Sequence, residues 1–294
     1  DGVNLIDTGS NNIIIKVDAN NTGKLKFEGT STIDGEVGEN NRIVNSIIAG
    51  ATGETVTFND MVYANTLKYS DNGTVVLNGD NSLNANSEGF IGTVDFGIIT
   101  DPIEGEIGNF GTLEIGDGVN LTVDASGIQF TNANNATLRF AGDTTVNGVL
   151  GGNTAGNSTF EEIYAGLNGK TATFKNDVYV EENTFHVGNG TVNFEGNLIG
   201  SLIFDNDGTV NVDNGKSIIV STVANAVKTT TNNTGILNFK GETTLYGDIG
   251  TSTNRLESVT FASEGTTTDS YTRIINKNIY AQDINIGNNL NQTT

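Results

Sequence analysis

The chain of 294 residues carries 35 acidic and 14 basic residues, a net charge of −21, with 38 glycines, one proline and no cysteine. That balance excludes the clustered Lys and Arg that nucleic acid requires and disfavours adsorption to anionic lipid. The lack of Cys excludes disulfides, thiol nucleophiles and thiolate metal sites.

Gly, Asn and Thr are poor helix formers, while Val, Ile, Leu and Phe recur at short intervals. Many short strands joined by polar turns are therefore predicted, rather than helices or disorder. No stretch approaches 18 apolar residues.

Taken in order, the chain opens on DGVNL at Asp1–Leu5, a phrase that returns at Asp117–Leu121. FEGTSTIDGEVG follows at Phe27–Gly38 and comes back as FAGDTTVNGVLG at Phe140–Gly151 and FKGETTLYGDIG at Phe239–Gly250. All three fit one ungapped template of twelve positions, the mark of a repeat protein. FNDMVY at Phe58–Tyr63 pairs in the same way with FKNDVY at Phe174–Tyr179, and INKNIY at Ile275–Tyr280 is a weaker echo. These phrases define sequence units 1–116, 117–213 and a shorter 214–294. Because the chain starts inside a repeat, it reads as a fragment, with any signal peptide or anchor expected outside it.

A finer period lies within the units. Gly-Thr followed by alternating apolar and polar residues starts at Gly73, Gly92, Gly111, Gly190 and Gly208, and GKLKF at Gly23 and GILNF at Gly235 are variants. Alternation with period two predicts strands with one buried face. The first unit spends 38 residues between Gly73 and Gly111, the second 18 between Gly190 and Gly208. One whole small repeat, Glu88–Gly108, is thus expected as an extra rung, which a stacked coil tolerates and a closed sandwich does not.

The resulting expectation is an all-β fold, a right-handed parallel β-helix running as one continuous solenoid over 1–294. At about 20–25 residues per rung it has about 12–14 rungs. The template residues Phe27, Phe140 and Phe239 are expected to be buried at equivalent rung positions. Tandem β-sandwich modules are the alternative that the inserted rung argues against.

The search for chemistry yields little that converges. His186 is the only histidine and reads as a strand residue. The adjacent pairs Glu161-Glu162 and Glu181-Glu182 point to opposite strand faces, so neither forms an acid–base pair within itself. Arg42, Arg139, Arg255 and Arg273 are scattered, and Arg42 and Arg255 follow Asn at matched places, which speaks for structure. Asp205–Asp213, DNDGTVNVD, only superficially resembles a calcium loop. Thr repeats such as Thr55–Thr57, Thr144-Thr145 and Thr266–Thr268 are too intermittent for an ice-binding array. No cofactor, metal or catalytic residue is assigned.

One segment draws a binding hypothesis. The lone proline lies in DPIEGEIG, Asp101–Gly108, and Pro cannot donate to a ladder, so this piece is expected to leave the sheet as a loop. Asp101, Glu104 and Glu106 would then project together from a rigid scaffold.

The phrases GTLEIGDGVNL, GILNFKGETTLYGDIGTSTNRL and GTVNFEGNLIGSLIFDNDGTVNVDNG resemble the passenger regions of bacterial autotransporters. The nearest likeness is to the rickettsial outer-membrane surface antigens, which repeat phrases of the FxGxTTVxGxIG type. The resemblance implies display on the bacterial cell surface through a C-terminal barrel outside this chain. It also implies a non-enzymatic role in adhesion to host cells through a host-surface protein receptor, with no membrane insertion by this segment. A monomer is expected. A polysaccharide lyase or hydrolase, or a purely structural surface layer, are the alternatives.

Overall fold

A computed structural model describes residues 4–6, 13–83, 90–96, 98–101, 105–108, 111–123, 130–131, 136–151, 160–220, 225–262, 273–275 and 277–287. Among these there is no helix; the fold is an all-β, parallel β-solenoid. The chain divides into two compact units, Asp1–Glu161 and Glu162–Thr294.

In the first unit one column of strands runs Asn4–Ile6, Ser31–Asp34, Thr55–Phe58, Thr74–Leu77, Thr112–Ile115 and Thr137–Phe140, each paired in parallel with the next. Like residues stack on like: Thr55, Thr74, Thr112 and Thr137 lie in register outside, and Phe58, Leu77, Ile115 and Phe140 inside. The inner four are fully buried, and their strands alternate as the period-two pattern predicts. A second column holds Thr22–Lys26, Val44–Ala49, Ala64–Tyr69 and Phe90–Asp95. The same sheet continues through Asn81–Leu83, which pairs with Phe90–Asp95, to Asn120–Val123 and Thr144–Asn147.

The second unit repeats this plan. One inner column is Phe174, Phe194, Val212, Phe239 and Phe261, all buried and in consecutive register, with Ile286 continuing that register as an exposed residue. Phe174 stacks on Phe194 at 5.5 Å, and Phe239 on Phe261 at 5.3 Å. Such offset ring pairs add about 0.5–1.5 kcal/mol each beyond the area they bury. The described residues form about 9 turns, below the expected 12–14 rungs, because some turns are much longer than 20–25 residues, as between Thr74 and Thr112.

That unevenness corrects the reading of the inserted repeat. Thr74 pairs directly with Thr112, and the Thr112 amide donates to Gly73 O at 3.0 Å. The 38 residues between them are therefore one turn, not two rungs. The strand Phe90–Asp95 within it pairs with Ala64–Tyr69 on another face, so the Gly-Thr phrase at Gly92 is no counterpart of those at Gly73 and Gly111. The surplus forms an antiparallel hairpin, Ile98–Asp101 with Gly105–Gly108.

The template copies are also not at equivalent positions. The strand leading to Phe27 belongs to the second column of the first unit, whereas Thr137–Phe140 belongs to the first, beneath the strand that follows Phe27 in its own copy. The second copy starts one face further round than the first. Phe140 and Phe239 are buried as expected, but Phe27 is only half-buried. Among the described residues its strand Thr22–Lys26 pairs with Val44–Ala49, and its ring meets Phe58 edge-on at 5.7 Å.

What the copies do share is a corner. Gly38 and Gly250 both adopt positive φ, 75° and 68°. A Cβ there would lie 2.6 Å from Tyr63 O and 2.3 Å from Tyr280 O, respectively, so only Gly lets the next rung approach this closely. The Tyr63 amide donates to Val37 O and the Tyr280 amide to Ile249 O, both at 2.7 Å. This explains why the template's last Gly and the VY/IY phrase travel together in the sequence.

Candidate functional site

The segment predicted to leave the sheet does leave the parallel columns, as a hairpin rather than an irregular loop. Thr100 lies opposite Glu106 and Asp101 opposite Gly105. Asp101 and Glu106 thus occupy adjacent cross-strand pairs, and Glu104 lies outside the described residues.

A polar cluster surrounds His186, in the second unit. Parallel register sets Tyr164 beside His186, and their rings stack at 4.4 Å. His186 Nδ1 is 2.9 Å from Asp205 Oδ2, its Nε2 is 3.7 Å from Glu162 Oε1, and the Tyr164 hydroxyl donates to Glu162 Oε2 at 2.8 Å. The two carboxylates sit on different ring nitrogens, so they bracket the imidazole rather than converge on a third point. The cluster joins three rungs, and sequence reading missed it because its members are about 20 residues apart and become neighbours only through stacking. The Glu161 amide donates to Ala136 O at 3.1 Å, within the first unit.

The acidic run Asp205–Asp213 disperses in the same way. Asp205 goes to His186, Asp207 accepts the Gly235 amide at 3.2 Å, and Asp213 Oδ1 lies 3.0 Å from Lys240 Nζ. Asp207 also faces Glu257, whose carboxyl is raised above the usual carboxylate range by burial first, then by Asp207 and Asp283. Among the described residues no group of three or more His, Cys, Asp or Glu is placed to hold a metal ion. Arg42 pairs with Glu39 within its turn at 3.6 Å, and Arg139 with Glu114 one rung away at 3.1 Å; both are local structural contacts.

The remaining feature is the outer surface of the columns. In the second unit Asn193 Nδ2 donates to Thr173 Oγ1, Asn211 to Asn193 and Asn238 to Asn211, at 3.2, 2.8 and 2.9 Å. This side-chain ladder repeats the direction of the backbone pairing and fastens adjacent rungs. No family model, curated protein or solved structure matches the chain.

Proposed function

We propose that the chain is a non-enzymatic, surface-displayed passenger segment of an autotransporter, binding a host-surface protein through its exposed columns or the hairpin Ile98–Gly108. The observation that carries the reading is the parallel stack itself, built from phrases of the FxGxTTVxGxIG type. Each turn contacts only its neighbours, so outward residues vary while the inner columns hold the scaffold. The hairpin supports it further, since excursions from rigid scaffolds are where binding usually resides. In this reading the chain is exported to the bacterial surface and held there by a barrel outside it.

The test is direct binding of the purified chain to host cells, expected to be saturable and specific. Turnover of an acidic or neutral polysaccharide would replace the reading with an enzymatic one, and the absence of saturable binding would favour a structural layer. Replacing Asp101, Glu104 and Glu106 together with Ala at matched salt decides whether the hairpin takes part. Weakened binding at an unchanged melting temperature is expected if it does.

A further inference from the structure

On one face of the second unit the alternation of apolar inside and polar outside breaks down. Val178, Leu198, Ile218 and Leu245 are the fully buried members of four successive strands. The next residue in each points outward, and these are Tyr179, Ile199, Ile219 and Tyr246. They lie in direct register, Tyr179 on Ile199, Ile199 on Ile219 and Ile219 on Tyr246. The first three are partly exposed, and Tyr246 is 47% exposed. At about 4.8 Å per rung this is an apolar ridge roughly 14 Å long with an aromatic ring at each end.

The neighbouring outward columns differ. The face bearing Thr173, Asn193, Asn211 and Asn238 is polar, and the face bearing Glu162 and His186 is charged. Alongside the ridge runs a polar column that satisfies itself. The Asn197 amide and Nδ2 donate to Asp177 Oδ1 at 2.7 and 3.0 Å, the Ser217 amide to Asn197 Oδ1 at 3.0 Å, and the Thr244 amide to Ser217 Oγ at 3.2 Å. A carboxylate stands near each end of the ridge: Asp177 beside Tyr179, and Asp248 two residues beyond Tyr246.

Nothing in packing or pairing requires apolar side chains on this outer surface, and exposed apolar strips with polar margins mark contact sites. We propose that this ridge docks a protein partner that presents an apolar strip flanked by Lys or Arg. The proposal rests on the reading of the chain as a binding surface and names the chemistry of its partner. Charge complementarity selects the occupant. A second copy of a chain with net charge −21 is repelled, and four side chains fall well short of the roughly 800 Å² per partner that a stable dimer buries. An anionic lipid surface is repelled for the same reason. Tyr is enriched among the residues that dominate protein interfaces, so Tyr179 and Tyr246 are the anchors.

The experiment uses the full chain and two synthetic strand peptides, one alternating Leu with Lys and one alternating Leu with Glu, in surface plasmon resonance at physiological salt. The Lys peptide is expected to bind and the Glu peptide not. The variant Tyr179→Ser/Ile199→Thr/Ile219→Thr/Tyr246→Ser, checked for an unchanged circular-dichroism spectrum, is expected to weaken Lys-peptide binding at least tenfold. Should that variant misfold, Asp177→Asn/Asp248→Asn keeps every Oδ1 acceptor and is expected to slow association without changing the fold. Equal binding of both peptides, or wild-type affinity in the folded variants, overturns the proposal. So does a dimer in sedimentation equilibrium that the ridge variant abolishes, since the occupant would then be a second copy. Host-cell binding separates this proposal from the broader reading: cells bound equally by wild type and ridge variant sink the ridge alone. Ridge-dependent peptide binding with no cell binding sinks adhesion alone.

Discussion

Two deletions within the turn from Thr74 to Thr112 have opposite expected outcomes. Removing 98–108 takes away the antiparallel hairpin and leaves the strands Phe90–Asp95 and Thr112–Ile115 in place. The turn from Thr74 to Thr112 shortens from 38 to about 27 residues, and the loop-closure difference is only about 0.3 kcal/mol. For a compact unit of this size that shifts the melting temperature by about 1 °C. Removing 73–91 instead takes out Thr74–Leu77 and Asn81–Leu83, with Val75, Leu77 and Ile91, all fully buried. It also joins the chain to a strand on the wrong face, so Thr55–Phe58 and Thr112–Ile115 each lose one of their two partners. Burying a side chain of that size is worth about 1.5–3 kcal/mol, so three of them alone represent roughly 5–9 kcal/mol. That is comparable to the whole stability of a domain. Thermal unfolding followed at the β circular-dichroism band distinguishes the two. If the 73–91 deletion unfolds cooperatively near the wild-type temperature, or the hairpin deletion does not fold, the turn assignment is wrong.

Other expectations follow from single residues. Phe140→Ala and Phe239→Ala should each cost about 3–5 kcal/mol in chemical denaturation, and Phe27→Ala clearly less, because Phe27 is half-buried. Tyr69 is buried and donates to Thr112 O at 2.8 Å; Tyr69→Phe should lose about 0.5–1.5 kcal/mol while leaving the ring stack on Phe96 in place. Gly38→Ala and Gly250→Ala combine positive φ with a Cβ overlapping a carbonyl, and each should lower the melting temperature more than Ala at the open Gly118 corner. Glu257 has a raised carboxyl, so its contribution favours the folded state below the unfolded carboxylate pKa of about 4.3 and is lost as pH rises through the raised value. Glu257→Gln should accordingly raise the melting temperature at pH 7, with the gain vanishing on acidification.

The local level of this fold was legible because the pattern and the physics coincide. TVVL, TLEI, TVNF and TVNV each place two buried residues and two outward ones as period two dictates. Parallel stacking was legible from repetition, since residues of one kind recur where one rung covers another. The azimuth of each phrase was not. GTVDF at Gly92 and GTLEI at Gly111 look alike, yet they face different columns, because turn length decides which strand meets which and it varies, with 18 residues between Thr191 and Thr209 but 38 between Thr74 and Thr112. The His186 cluster and the Tyr179–Tyr246 ridge escaped notice for the same reason. Their members are ordinary within each strand and become a site only when the register is known. A signal for the ridge did exist: VY, LI and II at 178–179, 198–199 and 218–219 break alternation at intervals of 20 residues.

The shift of the twelve-residue template by one face between Phe27 and Phe140 bears on how such a gene can change. Recombination between the two copies inserts or removes whole turns plus a fraction of one. The reading frame and every inner column survive, since each new rung still finds an apolar neighbour. The strand column that the following residues join, however, changes with the copy they follow. Copy number in this sequence is therefore a dial for direction as well as for height: losing or gaining one repeat would hide one surface and turn another outward without a single substitution.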